Sequence, residues 1–248
     1  MGVSRSRGFT VIEVIIFLAI SGLMLLIAFI GTGVTIQWTR FSDSVRSTES
    51  YLQAQYDEIL NGINPRNGSQ VCSRGSVSSG APGDPPGSST CVLMGKAVKF
   101  TNGSGILDTY YIVGSEPTGV DLSAQTDASL ISLYQPQLVT VAGTTDSYKL
   151  PWDATVNSVK RQDGVPANFY ALIRSPLSSN ILAYIFTYDG MSNNLTPFVS
   201  DPTNRGKSAN VCVKSADVIG SIAAINIASG QGPSTVSSNF NADPATAC

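Results

Sequence analysis

The chain has 248 residues, a formal net charge of −2 and only 13% charged residues, against ~25% in an ordinary soluble domain. That near-neutral balance argues against a polyanion-binding surface spread over the whole chain. There is no histidine, so His-dependent triads, His-ligated zinc and the commonest general base are excluded, while Ser–Lys, carboxylate and Cys chemistry stay open.

Residues 1–8 form a short polar leader with Arg5 and Arg7. Residues 14–36 are almost continuously apolar and carry no charge. A stretch of about 20 such residues crosses a hydrocarbon core. The leader arginines favour a cytoplasmic N-terminus. Everything beyond about residue 40 then lies across the membrane, where disulfides form. A cleaved secretory signal fits poorly, because its apolar core runs to only about 7–15 residues. The far end here, Thr35, Ile36, Gln37 and Trp38, is also a poor small-residue cleavage site. A plain signal anchor fits the hydropathy but leaves the run Arg7-Gly8-Phe9-Thr10-Val11-Ile12-Glu13 unexplained.

In that run a carboxylate, Glu13, stands at the edge of a membrane helix, where an unpaired charge is costly. Cleavage after Gly8 would create a free amine on Phe9, and the amine of a neighbouring chain would neutralise Glu13. Gly8 offers a protease a backbone with no side chain in the way. The sequence GFTVIEV at residues 8–14, with the short basic leader and the apolar run, closely resembles the class III signal of type IV prepilins and secretion pseudopilins. The resemblance covers roughly residues 1–60. It implies that a membrane aspartyl peptidase cuts after Gly8 and methylates Phe9, and that Glu13 is the fifth mature residue and serves assembly.

The helix is expected to continue beyond the membrane. Trp38, Phe41, Val45, Leu52, Tyr56, Ile59, Leu60 and Ile63 recur largely at steps of three and four, an amphipathic stripe. Arg40, Asp43, Arg46, Glu49, Gln53 and Asp57 occupy mostly other faces. Stop signals come at Asn61-Gly62 and again at Asn64-Pro65. A helix over 9–60 would be about 75–80 Å long. Trp38 stands where an interfacial aromatic anchor is expected. Gly22, Gly31 and Gly33 interrupt the apolar half, each weakening a helix in water by ~1 kcal/mol, and small residues let membrane helices approach closely.

The head reads as β-rich. Residues 62–91 are dominated by Gly, Pro and Ser and read as a loop, bracketed by Cys72 and Cys91. Strands are expected over 92–100 and 107–113 around the turn at 101–105, over 130–134 and 138–141, and over 168–174 and 181–188 as a second hairpin. Residues 211–214 and 219–227 are late strands, the second of which also reads as a short helix. The remaining cysteines are Cys212 and Cys248. Four cysteines allow three pairings, and the local choice is Cys72–Cys91 with Cys212–Cys248. The first closes a loop of about 20 residues, worth about 3 kcal/mol. The second pins the Gly/Ser/Asn-rich tail at 230–247 and resembles the C-terminal disulfide-bounded region of many pilins.

No phosphate-binding loop is present. The oxygen donors of Asp189-Gly190-Met191-Ser192-Asn193-Asn194 lack the regular carboxylates of an EF-hand and read as a solvated turn. Lys149, Lys160, Arg161, Arg174, Arg205, Lys207 and Lys214 are scattered, so nucleic-acid capture by the head has no clear footprint.

The expected fold class is α+β, with a long N-terminal helix packed on an antiparallel β-sheet. Its parts are a leader at 1–8, an assembly helix at 9–36, an amphipathic helix at 37–63 and a head at 64–248. The resemblance implies a structural filament subunit for adhesion, motility or DNA uptake, with no reaction, cofactor or metal of its own. Implied partners are other pilin subunits, prepilin peptidase, the membrane platform of a pilus or secretion machine, and lipid before assembly. The size of the head points to a minor pilin. A secretion pseudopilin shares every feature, and the competing class is a single-pass anchored extracellular enzyme or binding protein.

Overall fold

The first element is one helix, α1 (Val11–Leu60), of 50 residues, about 75 Å long at 1.5 Å per residue. The computed structural model describes residues 10–62, 70–73, 76–79, 91–141, 145–216, 220–229, 235–240 and 248. Thr10 opens α1 as N-cap and Asn61 closes it, its N–H donating to the Asp57 and Ile59 carbonyls. Gly62 follows at φ +63, a left-handed conformation that glycine adopts without strain and that ends helices. The helix therefore stops at the first of the two expected signals; Ile63 and Asn64-Pro65 lie outside the described residues. Gly22, Gly31 and Gly33 sit inside the unbroken helix.

Among the described residues twelve strands follow: β1 (Gln70–Ser73), β2 (Ser76–Ser79), β3 (Cys91–Phe100), β4 (Ile106–Ser115), β5 (Gln137–Val139), β6 (Asp146–Lys149), β7 (Thr155–Arg161), β8 (Phe169–Arg174), β9 (Ile181–Phe186), β10 (Ala209–Lys214), β11 (Ile222–Ile227) and β12 (Val236–Asn239). Two short helices, α2 (Asp127–Leu133) and α3 (Thr196–Ser200), stand among them. The architecture is α+β, a long N-terminal helix followed by antiparallel sheets, consistent with the pilin fold. The larger sheet runs β5-β4-β3-β8-β9, with β6 also on β4. β4 is long enough for both: residues 111–113 pair with β5 and residues 106–109 with β6. The smaller sheet runs β12-β11-β10-β7, and β1 with β2 forms a separate hairpin.

Two sequence expectations change here and one left open is resolved. Residues 130–134 are not a strand; they belong to α2 and its C-cap Tyr134. Thr126 caps this helix by accepting from the Ser129 N–H, and Leu130, Ile131 and Tyr134 fall on one buried helical face. The segment read as a loop at 62–91 contains the β1–β2 hairpin. Of residues 219–227, read as a strand with a short helix as the alternative, Ile222–Ile227 form the strand β11, paired on both sides by β10 and β12.

The second half of α1 is the spine of the main core. Phe41, Val45, Leu52, Tyr56 and Ile59 pack with Phe100, Leu107 and Tyr170 of the larger sheet and with Val156, Val211 and Ile225 of the smaller. Leu60, expected on the stripe, is exposed instead. The far face of the larger sheet carries a second core, with Met94, Ile112, Phe169 and Tyr184 beneath Leu130 and Ile131 of α2 and Val199 of α3. Gly95 sits where β3 shifts register and presses on β8: a Cβ there would lie 1.9 Å from the Leu172 carbonyl oxygen. Only glycine permits that approach. At the other end of the spine, the buried Lys96 on β3 donates to Gln55 Oε1 at 3.1 Å. It also pairs with Glu58 and lies over the Tyr111 ring at 4.7 Å. A buried ammonium needs such partners, and they fix the register of α1 on β3.

Candidate assembly and membrane-anchoring site

The site starts at the helix N-terminus. Thr10 and Glu13 form a capping box: the Glu13 N–H donates to Thr10 Oγ1 at 3.3 Å, and Glu13 Oε2 accepts from the Thr10 N–H at 2.8 Å and from its hydroxyl at 2.9 Å. The pattern T-x-x-E produces this wherever a helix begins at the threonine. Glu13 is thus not a bare charge within its own chain. Its carboxylate is folded back toward the helix start and held at the level of Thr10. Gly8 and Phe9 lie outside the described residues.

From Val11 to Ile36 the described side chains have no core of their own. Phe17 is 71% and Phe29 73% exposed, and Leu23, Met24, Leu25, Leu26 and Ile27 are similarly bare. Among the described residues, α1 is the one helix long and apolar enough to cross a membrane. Its hydroxyls fit that setting. Ser21 donates to the Phe17 carbonyl at 2.7 Å, Thr32 to Phe29 at 3.0 Å and Thr35 to Gly31 at 2.9 Å. Each polar group within the apolar run is satisfied inside the helix, as a medium without water demands.

Beyond Ile36 the helix passes into the grip of the head. Trp38 stacks on Phe41 with ring centroids 5.7 Å apart, yet stays 45% exposed. Arg40 lies over the Trp152 ring at 4.8 Å, and the Trp152 indole N–H donates to Asp43 at 2.9 Å. Tyr148 donates to Ser47 at 2.9 Å and stacks on Tyr51 at 4.2 Å. Gln53 reaches the Val236 carbonyl at 3.0 Å. These contacts come from β6, the 3-10 turn at Pro151–Asp153 and β12, so both sheets hold the helix from Asp43 onward.

Cys212 and Cys248 are disulfide-bonded, with Cα atoms 5.7 Å apart. Ser158 on β7 donates to the Cys248 carbonyl at 3.0 Å. The last residue is therefore tied to the outer face of the smaller sheet, beside Ala224. Cys91 is also disulfide-bonded. Cys72 contributes its backbone to β1, opposite Val77, while its side chain, and with it the Cys72–Cys91 pairing, lies outside what is described.

The remaining sequence candidates hold structure locally. Asp189 accepts from the Met191 N–H at 3.0 Å and Asn194 from the Thr196 N–H at 2.9 Å, so the oxygens of that turn brace its own backbone. Among the described residues no three of His, Cys, Asp and Glu converge as a metal site. Of the basic residues, Lys149 ends β6, Arg161 ends β7, Arg174 ends β8 and Lys214 ends β10, and Arg161 is engaged by Asp163.

Residues 3–29 match the prokaryotic N-terminal methylation motif. The chain carries a class III prepilin signal. It is a type IV pilin- or pseudopilin-like protein, and the apolar helix behind the signal marks it as membrane-anchored. The match covers most of the leader and of the exposed half of α1 and none of the head. Neither a curated protein nor a solved structure matches the chain. Two parts of this prepilin-type site went unread in the sequence. The Thr10 cap was visible in the T-x-x-E spacing. The contact of Trp152 with Arg40 and Asp43 was not, because it joins residues 109 apart.

Proposed function

We propose that the chain is a structural filament subunit with no reaction of its own. In this reading prepilin peptidase cuts after Gly8 and methylates Phe9. The exposed half of α1 first crosses the membrane and then packs against the same half of other subunits. The observation that supports this most is one helix with two surfaces. Its first half is apolar and uncovered, fronted by the methylation motif and bearing a single carboxylate at Glu13. Its second half is the spine of the head.

The Thr10 cap adds a detail. It presents the Glu13 carboxylate at the helix start, so the Phe9 amine of an incoming subunit meets it at the level of Thr10. The pair forms away from water, where an isolated charge is costly and a partnered one is tolerated. Adhesion, motility and DNA uptake by a pilus, or export by a pseudopilin filament, are the uses this subunit would serve. Its partners are other pilins, the peptidase and the membrane platform of the assembly machine.

The mass of the mature N-terminus tests the processing step. Methylated Phe9 is the expected result, and an intact Met1 on assembled protein overturns it. Glu13→Ala tests the pairing. Membrane insertion is expected to persist while filaments are lost; normal filaments from the variant overturn the role given to Glu13.

A further inference from the structure

The turn at Pro151–Asp153 holds a residue whose placement the core does not require. Trp152 has φ +57 and ψ +37, a left-handed conformation in which a bulky side chain is unusual. The residue stays 49% exposed while Arg40 covers one face of its indole and Asp43 accepts from its N–H edge. The backbone is thus held in a disfavoured shape to keep a half-exposed aromatic ring against α1.

The position of that ring along α1 gives it a use. Arg40 is four residues past Ile36, the last residue of the apolar run, about 6 Å along the axis. The headgroup layer beyond a ~30 Å hydrocarbon core is about 5–7 Å deep on each side. With Ile36 at the hydrocarbon boundary, the Trp152 ring lies inside that layer. Trp38 lies there too, on the other side of the helix, since Arg40 and Asp43 are rotated from it by about 200° and 140° at 100° per residue. Lys149 pairs with Asp153 at 3.6 Å and Arg40 stands near Asp43 around the ring, so the charges at this level are balanced in sign. Tryptophan is the residue that settles at either membrane–water interface, its ring apolar and its N–H polar.

We propose that Trp152 is a second interfacial anchor, through which the head rests its Pro151–Asp153 turn on the headgroup layer before assembly. Trp38 alone would leave the helix free to rotate about its axis and tilt. Two indoles on opposite flanks, one of them carried by the head, hold both helix and head at a defined angle to the bilayer. The occupant is lipid, because the ring stands against Arg40, one helical turn beyond the uncovered apolar half of α1 and at the depth of its exit. This inference rests on the membrane-anchored reading.

The chain has two tryptophans, so the test is direct. Full-length Trp38→Phe, with Trp152 as sole indole, and Trp152→Phe, with Trp38 as sole indole, are placed in phosphatidylethanolamine–phosphatidylglycerol vesicles bearing a nitroxide on the headgroup. Trp152 emission is expected to shift to the blue and to be quenched within a factor of about two of Trp38. The difference between the wild-type chain and Trp152→Phe gives the same quantity without altering Trp38. Quenching of Trp38 with none of Trp152 overturns the proposal and leaves the membrane anchor standing. Quenching of neither overturns both. A blue shift of Trp152 only on polymerisation assigns the turn to a contact between subunits and also overturns the proposal.

Discussion

Leu25 and Leu52 occupy the same helix, yet one is 60% exposed and the other fully buried. The first half of α1 shows its apolar surface to nothing in its own chain; the second half buries the same chemistry under two sheets. Helix propensity does not separate the two. The difference lies in which solvent or partner each apolar surface is written for: lipid, and in the proposed filament other subunits, for the first half; the head of the same chain for the second. An amphipathic stripe is needed only where one face meets water. The all-round apolar character of residues 14–36 and the one-sided character after Trp38 follow from that.

The sharpest way to break this comparison is to remove the same atoms from each half. Leu52→Ala opens a void in the main core and is expected to cost about 2–5 kcal/mol, lowering the melting temperature of the head by roughly 4–20 °C. Leu25→Ala removes a side chain that supports nothing in the head and is expected to leave that melting temperature unchanged. Thermal denaturation followed by near-ultraviolet circular dichroism in detergent reads both. Equal losses from the two variants would mean that the halves are one cooperative unit.

A smaller effect separates the halves from the other end of the chain. The Cys212–Cys248 bond closes 36 residues of sequence, which corresponds to about 3–4 kcal/mol of lost freedom in the unfolded chain. Replacing both cysteines by alanine is expected to destabilise the head by about that amount while membrane insertion proceeds as before. Denaturant titration of the head and carbonate extraction of membranes measure the two separately. Loss of insertion in the variant would show that the anchor depends on a closed head.

How far the sequence revealed this division depends on the range of the forces involved. The helix was legible from end to end because its cap, its stripe and its Asn61-Gly62 stop are local signals. The β3–β4 and β8–β9 hairpins were legible for the same reason: each pairs near neighbours across a short turn. Residues 130–134, Leu-Ile-Ser-Leu-Tyr, satisfy a short strand and a helical turn equally, and only the Thr126 cap tips them to a helix. β6 and β7, reading DSYK and TVNSVKR, are too polar to stand out, and they exist because β4 and β10 offer them an edge. The arrangement at the helix exit was hidden for another reason. Trp152 meets Arg40 and Asp43 only once the smaller sheet has folded back along α1, and no local pattern encodes that meeting.

Acid offers the gentlest probe of the same contrast. On the turn after β7, Asp163 accepts from Arg161 Nε at 3.0 Å and from the Val165 N–H at 3.3 Å. The Arg161 hydrogen bonds, foremost, hold its carboxyl at about 2, below the ordinary 3.8. Asp127, held by Ser175, Ser178 and Asn180, is shifted down as well. A carboxylate whose folded value is depressed contributes stability above its unfolded value, and that contribution disappears as pH falls through the folded one. For Asp163 the window therefore runs from about pH 4 down to about pH 2. The head of the wild-type chain is expected to lose melting temperature across that window, and Asp163→Asn to lose less. Because Asp163 is solvent-exposed, the gap between them is expected to be the smallest of the three effects. The apolar half of α1 carries no ionisable group between Val14 and Ile36, so its helicity in detergent has nothing to titrate there. A helix signal over residues 14–36 that fell in step with the head at low pH would mean that the spine transmits unfolding into the anchor.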